Sequence, residues 1–193
     1  LNLAARQMSA GLRDVVNLED RPTLERWLRL LPEEMIQQHP GLLMIRAWAL
    51  QFLWRLDLQA PVLRQVEEML NSDRSALLPA NDVQILRGQI LLTRAQQAYF
   101  SNQPTRAIDL CQQVLALLPT SWTFVRGGAM LYLGISMQAS GQANAAERLL
   151  HAEYETCSHK TNVYALFILE SLCFIYYHAG QLEQTRRIAQ VLA

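Results

Sequence analysis

Apolar residues in the second half of the chain recur at steps of three and four, which is the period of an α-helix. The segment "QILLTRAQQAYF" places Ile90, Leu91, Arg94, Ala95 and Ala98 along one helical face. The segment "AMLYLGISMQAS" repeats this spacing further along the chain. Because no alternation typical of a β-strand competes with the helical period, we predict an all-α fold.

Turn signals interrupt this helical pattern at a fixed interval. Asn102, Gly141 and Gly180 each follow a helical segment, and both steps are 39 residues (141 − 102 and 180 − 141). Glycine and asparagine suit the left-handed conformation that ends a helix, so each turn is predicted to join two antiparallel helices into a hairpin. Small residues, which let the two backbones approach closely, lie seven positions before and five positions after the turns: Ala95, Gly134, Cys173, Ala107, Ala146 and Thr185.

The predicted hairpins resemble the tetratricopeptide repeat (TPR), in which small residues flank a turn glycine and a proline ends the second helix. Pro119 lies 12 residues after Ala107, as that pattern requires. The period here is 39 residues rather than about 34, and the two later repeats lack the proline. The resemblance implies an all-α, right-handed α-α superhelix of stacked hairpins, and we expect residues 1–193 to form one such domain.

The first half of the chain carries weaker versions of the same pattern. The segment from Arg46 to Leu70 is predicted to be a hairpin that turns at Asp57, 45 residues before Asn102. The excess over 39 residues falls near Asn71 to Asp82, where polar residues surround a short apolar patch. We predict a longer loop between repeats there.

A helix start is also predicted near residue 20. Asp20 is a residue type that caps helix N-termini, and Pro22 suits the first turn that follows such a cap. The segment from Leu18 to Pro32 is therefore predicted to be the second helix of an earlier hairpin.

Composition narrows the classes of function. Apolar residues (AVILMFWYC) make up 51% of the chain and charged residues 18%, which indicates a globular protein with some surface that meets a partner. Lys+Arg and Asp+Glu are both 17 and no basic run is present, so direct contact with nucleic acid is not expected.

The cysteines Cys111, Cys157 and Cys173 form no CxxC pair, which favours reduced thiols and a cytoplasmic location. No apolar run approaches the roughly 20 residues that a membrane helix needs.

A more specific resemblance lies in "LPEEMIQQHPGLLMIRAWAL" and the segment that follows it. It is similar to the region after the nucleotide-binding module in large LuxR-type, ATP-dependent transcriptional activators of the MalT group. At the position where that group customarily has glycine, this chain has Arg55. The residues that match the pattern are Leu31, Pro32, Glu33, His39, Pro40, Leu42, Arg46, Ala47, Trp48 and Leu50.

The resemblance implies a regulatory region that senses an effector and takes part in oligomerisation, between an NTPase module and a helix-turn-helix. Its partner would be a small-molecule inducer or a regulatory protein.

This chain contains no GxxxxGK[ST] phosphate loop, so ATP is expected only in an upstream module of the parent chain. The chain lacks an initiator Met and ends within a helical pattern, so we expect it to be a piece of a longer protein. The alternative is a stand-alone repeat scaffold that holds two proteins together.

Groups that would carry catalysis or bind a metal do not combine into a recognisable site. The spacing of His151, Cys157 and His159 matches no common metal site and lacks a fourth ligand. Adjacent acids such as Glu33 and Glu34 point in different directions on a helix, so they are not expected to act on one bond. Ser171, Cys173 and His178, on one helix, do not make a triad. We therefore predict a protein that is not an enzyme and holds no metal.

The predicted ligand site is the concave surface formed by the first helix of each hairpin. Aromatic side chains are interleaved there with amides and charges, a combination that suits a small ligand or an extended peptide. The alternative reading of the same stripe is packing between repeats. The residues predicted to line this groove are Trp54, Arg55, Gln96, Tyr99, Gln138, Glu170, Phe174 and Tyr177.

Overall fold

A computed structural model describes residues 2–72, 78–157 and 162–192 of the chain. Every regular element in this part is an α-helix, and the predicted all-α, TPR-like fold class is confirmed. The helices are α1 (Asn2–Asn17), α2 (Arg21–Leu30), α3 (Glu33–Gln38), α4 (Pro40–Phe52), α5 (Leu56–Asn71), α6 (Ala80–Phe100), α7 (Pro104–Leu117), α8 (Thr123–Ala139), α9 (Ala143–Thr156), α10 (Val163–His178) and α11 (Leu182–Leu192).

The chain forms two compact units, residues 1–87 and residues 88–193, with the division inside α6. The expectation that residues 1–193 act as one repeat domain stays a prediction.

Helix α4 is the core of the first unit. Its sequence "PGLLMIRAWALQF" is apolar on most faces, because helices α1, α2, α3 and α5 all pack against it. Trp48 is almost fully buried, and its ring lies 5.8 Å from that of Phe52. The amide of buried Gln59 on α5 donates to the carbonyl oxygen of Ala47 at 3.2 Å, which fixes α5 against α4.

The predicted start of the second helix is confirmed. The Asp20 carboxylate accepts hydrogen bonds from the backbone N–H of Thr23 at 3.1 Å and from its hydroxyl at 2.7 Å. Pro22 lies in the first turn of α2, where its missing N–H leaves no bond unmade.

The predicted turn at Asp57 is wrong by three residues. Helix α4 ends at Phe52, and the left-handed residue of the turn is Trp54, with φ 54°. Asp57 belongs to the first turn of α5, where a carboxylate interacts favourably with the helix dipole. The left-handed position, where glycine is favoured, is therefore residue 54. Arg55, where the MalT-type pattern has glycine, is the N-cap residue of α5.

The loop predicted from Asn71 to Asp82 is shorter than expected. Helix α5 continues to Asn71 and α6 begins at Ala80, so Asp82 is in the first turn of a helix. Residues 73–77 of the predicted loop lie outside the described residues.

The second unit consists of the hairpins α6–α7, α8–α9 and α10–α11, placed side by side. Helix α8 packs against its partner α9 and also against α7 and α10 on its two sides. The close approach of α8 requires glycine: a Cβ on Gly134 would overlap Ser171 Oγ of α10 and lie 2.8 Å from Leu150 Cδ1 of α9. A Cβ on Gly127 would lie 2.5 Å from the Phe167 ring, which shows that α8 and α10 are in direct contact.

The predicted repeat of the turns is confirmed by backbone geometry. Asn102, Gly141 and Gly180 have φ values of 56°, 79° and 71°, the left-handed conformation. At each turn the following residue donates its N–H to the carbonyl oxygen five positions earlier, at 2.8 to 2.9 Å. The left-handed residue itself donates its N–H to the carbonyl oxygen three positions earlier. The same two bonds close the turns at Glu19 and Trp54 in the first unit. This bond pattern is the Schellman motif. Among the described residues it closes five helices, namely α1, α4, α6, α8 and α10.

The small residues that flank these turns are mostly buried, as predicted. Ala95, Ala107 and Ala146 are fully buried, and Gly134 lies in the contact between α8, α9 and α10. In the last hairpin the Cys173 thiol lies 3.9 Å from the carbonyl oxygen of Thr185.

Candidate functional site

An aromatic cluster forms where α6 and α8 lie side by side. We call Tyr99, Phe100 and Tyr132 the α6–α8 cluster. The Tyr132 ring centroid lies 5.9 Å from that of Tyr99 and 6.2 Å from that of Phe100, and the rings are inclined to one another. Tyr99 and Tyr132 are half-buried, whereas Phe100 is 61% exposed. The cluster therefore has one packed side and one side that presents aromatic surface to solvent.

Three predicted groove residues interact with Tyr132: Gln96 through a side-chain hydrogen bond, Tyr99 through its ring, and Glu170 through the charge of its carboxylate. Burial is the main cause that raises the pKa of Tyr132 to about 12, and a hydrogen bond with the Gln96 side chain opposes the rise. The Cys111 thiol, the Tyr99 hydroxyl and the Glu170 carboxylate add smaller contributions to it. Gln96 is buried, and burial also raises the pKa of Tyr99. Both phenols stay protonated at neutral pH, so they act as hydrogen-bond groups and not as bases.

A second aromatic group occupies the end of α10. The Phe174 ring lies 4.2 Å from the His178 ring, and the Tyr177 ring lies 5.5 Å from it. Phe174 is half-buried, and Tyr177 and His178 are exposed. Two predicted groove residues, Phe174 and Tyr177, thus contact the same histidine, His178.

The remaining predicted groove residues lie elsewhere. Gln138 is half-buried near the end of α8, at the position of its hairpin that matches Tyr99 and Tyr177 in theirs. Trp54 and Arg55 belong to the first unit and lie in the turn after α4, outside the helix on which the sequence placed them. The indole of Trp54 is 66% exposed.

Sequence reasoning missed Tyr132, Phe100 and His178 as members of these groups. Tyr132 gives no repeat signal, because the residues 39 positions before and after it are Thr93 and Ser171. Phe100 carried a detectable signal, since it directly follows the predicted groove residue Tyr99 near the end of a predicted helix.

The histidines and cysteines considered as metal ligands make other contacts. His151 Nε2 lies 2.7 Å from the Tyr176 hydroxyl, which donates to the Glu147 carboxylate at 2.9 Å. The Cys157 thiol donates to the carbonyl oxygen of Glu153, and His159 lies outside the described residues. In the part of the chain that the structure describes, no three His, Cys, Asp or Glu side chains are grouped as metal ligands.

The three α10 residues considered for nucleophilic chemistry are also separate. The Ser171 hydroxyl is buried and donates to the carbonyl oxygen of Leu131 at 3.4 Å. The Cys173 thiol faces Thr185, and the His178 ring lies against the Phe174 ring at an angle of 41°. Within the described ranges, no helix is both long enough and apolar enough to cross a membrane.

Comparisons with known proteins relate the sequence to bacterial regulators. The chain is 32% identical over 102 residues to the HTH-type transcriptional regulator MalT of Vibrio parahaemolyticus, covering 53% of this chain and 11% of that protein. It is 28% identical over 147 residues to the MalT regulator of Yersinia pestis, covering 76% of this chain and 16% of the relative. The chain therefore spans less than a fifth of the length of either relative. No protein-family model matches it.

Among solved structures, the chain is similar to a putative kinesin light chain of Podosopora anserina with nearly identical TPR-like repeats. The TM-score is 0.45 and the identity 21%, over 96% of this chain and 91% of the other.

Proposed function

We propose that this chain is a non-catalytic helical-repeat domain of a bacterial, cytoplasmic LuxR/MalT-type transcriptional activator, and that it binds an effector on its α6–α8 cluster. The sequence similarity to two MalT regulators supports the class of parent protein. The stacked hairpins of the second unit support a role in recognition, because such stacks present a continuous surface built from successive helices.

The observation that carries this proposal is the composition of the α6–α8 cluster. It combines exposed ring surface on Phe100, two protonated phenols and the buried amide of Gln96. Apolar area with a few orienting polar groups is what a small-molecule or peptide site requires. Phe100 leaves aromatic surface exposed beside these polar groups, and a bound ligand would cover it.

The proposed mechanism is a population shift. A ligand that contacts α6 and α8 together favours the arrangement of these two helices that fits it best. In the parent protein, that change would be passed to an upstream NTPase module that binds ATP, and so permit self-association and gene activation.

A second candidate function is a scaffold that holds other proteins, and one observation favours it. Helix α11 has a strongly amphipathic sequence, "LEQTRRIAQVL", yet none of its residues is buried. Leu182 and Val191 are 66% and 60% exposed, which is typical of a surface that meets a protein partner.

A thermal-shift screen separates the two functions. Metabolites that raise the melting temperature of the 193-residue chain are retested on Phe100→Ala and on Leu182→Ala, which removes an exposed apolar side chain elsewhere. Because a ligand of the folded state must raise the melting temperature, an effector of the α6–α8 cluster is expected to stabilise the wild type and Leu182→Ala but not Phe100→Ala. A protein partner whose binding is lost in Leu182→Ala and retained in Phe100→Ala would instead support the scaffold.

A further inference from the structure

The carboxylate of Glu170 lies beside the α6–α8 cluster. The Ser171 hydroxyl of α10 donates to the carbonyl oxygen of Leu131 on α8 at 3.4 Å. Glu170 and Tyr132 are the sequence neighbours of these two residues, so they lie at the same level of two adjacent helices. The carboxylate is near enough to Tyr132 for its charge to add to the rise in the pKa of that phenol. A negative charge is therefore placed next to the aromatic rings.

Aromatic surface continues past Glu170 along α10. Phe174 and Tyr177 follow it at four and seven positions, which places the three residues on one face of the helix. Phe174 is half-buried, and Tyr177 is 62% exposed. Glu170, which is itself exposed, thus has Tyr132 beside it on α8 and Phe174 one turn away on its own helix.

The arginines of the three helices belong to other levels or faces. Arg126, the single arginine of α8, lies six residues before Tyr132, or about 9 Å along the helix. Its guanidinium donates to two carbonyl oxygens near the end of α7. On α6, Arg94 is two positions from Gln96, and side chains with that spacing do not share a helix face. Glu170 is the single acid of α8 and α10, so the charge beside the cluster is negative.

We propose that the effector of the α6–α8 cluster is a small molecule with a protonated amine or a guanidinium group, an inference that rests on the function proposed above. The face of an aromatic ring carries partial negative charge and attracts organic cations, and a carboxylate adds to that attraction. The positive group lies against Glu170 and the Tyr132 ring, and the apolar part of the ligand covers the exposed ring of Phe100. An anionic ligand is disfavoured because it would meet the Glu170 carboxylate.

The test compares three probes that share a phenyl group and differ in charge. They are phenethylamine, which is a cation at neutral pH, phenethyl alcohol, which is neutral, and hydrocinnamate, which is an anion. Each is titrated into the ¹⁵N-labelled 193-residue chain and followed by NMR. We expect saturable shifts around Tyr99, Tyr132 and Glu170, with the amine binding about threefold or more tighter than the alcohol and the anion weakest, since an exposed charge pair and a cation–π contact each contribute modestly.

Glu170→Gln removes the charge and keeps the size of the side chain. Because Glu170 is exposed, the variant is expected to fold like the wild type and to bind the amine and the alcohol with similar affinity. Asp109→Asn is the matched control, since Asp109 is an exposed acid on α7, the second helix of its hairpin. It should keep the wild-type preference for the amine. Sodium chloride should reduce that preference in the wild type, because salt screens an exposed charge.

The outcomes separate this inference from the function on which it rests. Equal binding of all three probes that is lost in Phe100→Ala would leave the effector site in place and overturn the assignment of a cationic ligand. A preference for the amine that persists in Glu170→Gln would also overturn it, and so would an absence of saturable shifts with the amine. Binding of the amine that is unchanged in Phe100→Ala would overturn both the inference and the proposed site.

Discussion

Glu33 and Arg46 are joined by two parallel hydrogen bonds, at 2.7 and 2.5 Å, between the first turn of α3 and the middle of α4. Both residues belong to the sequence pattern that resembles MalT-type activators. The same pattern supplies the buried Trp48 and Leu42 of the core helix. These residues of the pattern therefore stabilise the first unit: Glu33 and Arg46 join α3 to α4, and Leu42 and Trp48 pack in the core.

The first prediction concerns the pH dependence of this pair. The Arg46 guanidinium and the Gln37 amide lower the pKa of Glu33 from 4.5 to about 2. Because the folded-state pKa is depressed, the stabilisation is complete above about pH 4.5 and is lost as the pH falls towards 2. Glu33→Gln should lower the free energy of unfolding at pH 7 by less than about 1 kcal/mol, since the pair is partly exposed.

Urea unfolding at pH 7 and at pH 2 measures this effect. The difference between wild type and Glu33→Gln should shrink at the lower pH. Glu34→Gln, which alters an adjacent exposed acid, is expected to behave like the wild type at both. An undiminished difference at pH 2 would show that the pair does not act through charge.

The second prediction concerns the close contact of α8 with its neighbours. Gly134→Ala would place a Cβ against Ser171 Oγ and Leu150 Cδ1, which are held by packed helices. We expect a loss of about 1–3 kcal/mol in the free energy of unfolding. Ala139→Ser, at an exposed position near the end of the same helix, should change it little. Equal unfolding midpoints for Gly134→Ala and the wild type would contradict the packing of α8 described above.

The third prediction concerns the left-handed turns and differs between two sites. Gly141→Ala should destabilise the protein by about 1 kcal/mol, because alanine is strained at φ 79°. Trp54→Gly should stabilise it or leave it unchanged, since relief of strain at φ 54° opposes the greater freedom of glycine in the unfolded chain. Thermal unfolding of both variants measures these effects. A marked loss of stability in Trp54→Gly would show that the exposed indole is held by contacts that outweigh its strain.

The fourth prediction concerns Gln96 and Tyr132. Tyr132→Phe removes the hydroxyl that interacts with the buried Gln96 amide, and leaving a buried polar group without this bond costs about 1–3 kcal/mol. Gln96→Leu alone should also destabilise, but the double variant should lose less than the two single changes added together. A double-mutant cycle by urea unfolding gives this coupling, and strictly additive losses would contradict it.

Sequence reasoning located the later turns correctly because glycine and asparagine report a left-handed backbone, and because the 39-residue step repeats. It misplaced the turn after α4 because tryptophan at residue 54 gives no such signal, whereas Asp57 resembles a turn residue although it starts a helix. The predicted loop extended to Asp82 because polar residues are typical of loops, whereas here they form the first turn of α6.

The candidate site was only partly predictable for a related reason. Gln96 and Tyr99 follow from the repeat and from residue type, but Tyr132 joins them only through the packing of α8 beside α6. A linear pattern contains the spacing within a helix and not the lateral contact between helices.

The most direct test of the account is whether the first helices of successive hairpins stack side by side and so create the α6–α8 cluster. Nuclear Overhauser effects between aromatic protons measure these contacts in solution. We predict cross-peaks between the rings of Tyr99 and Tyr132, which link α6 to α8, and between those of Phe124 and Phe167, which link α8 to α10. Assigned spectra of the folded chain that show neither set of cross-peaks would contradict the stacking and the effector site built on it.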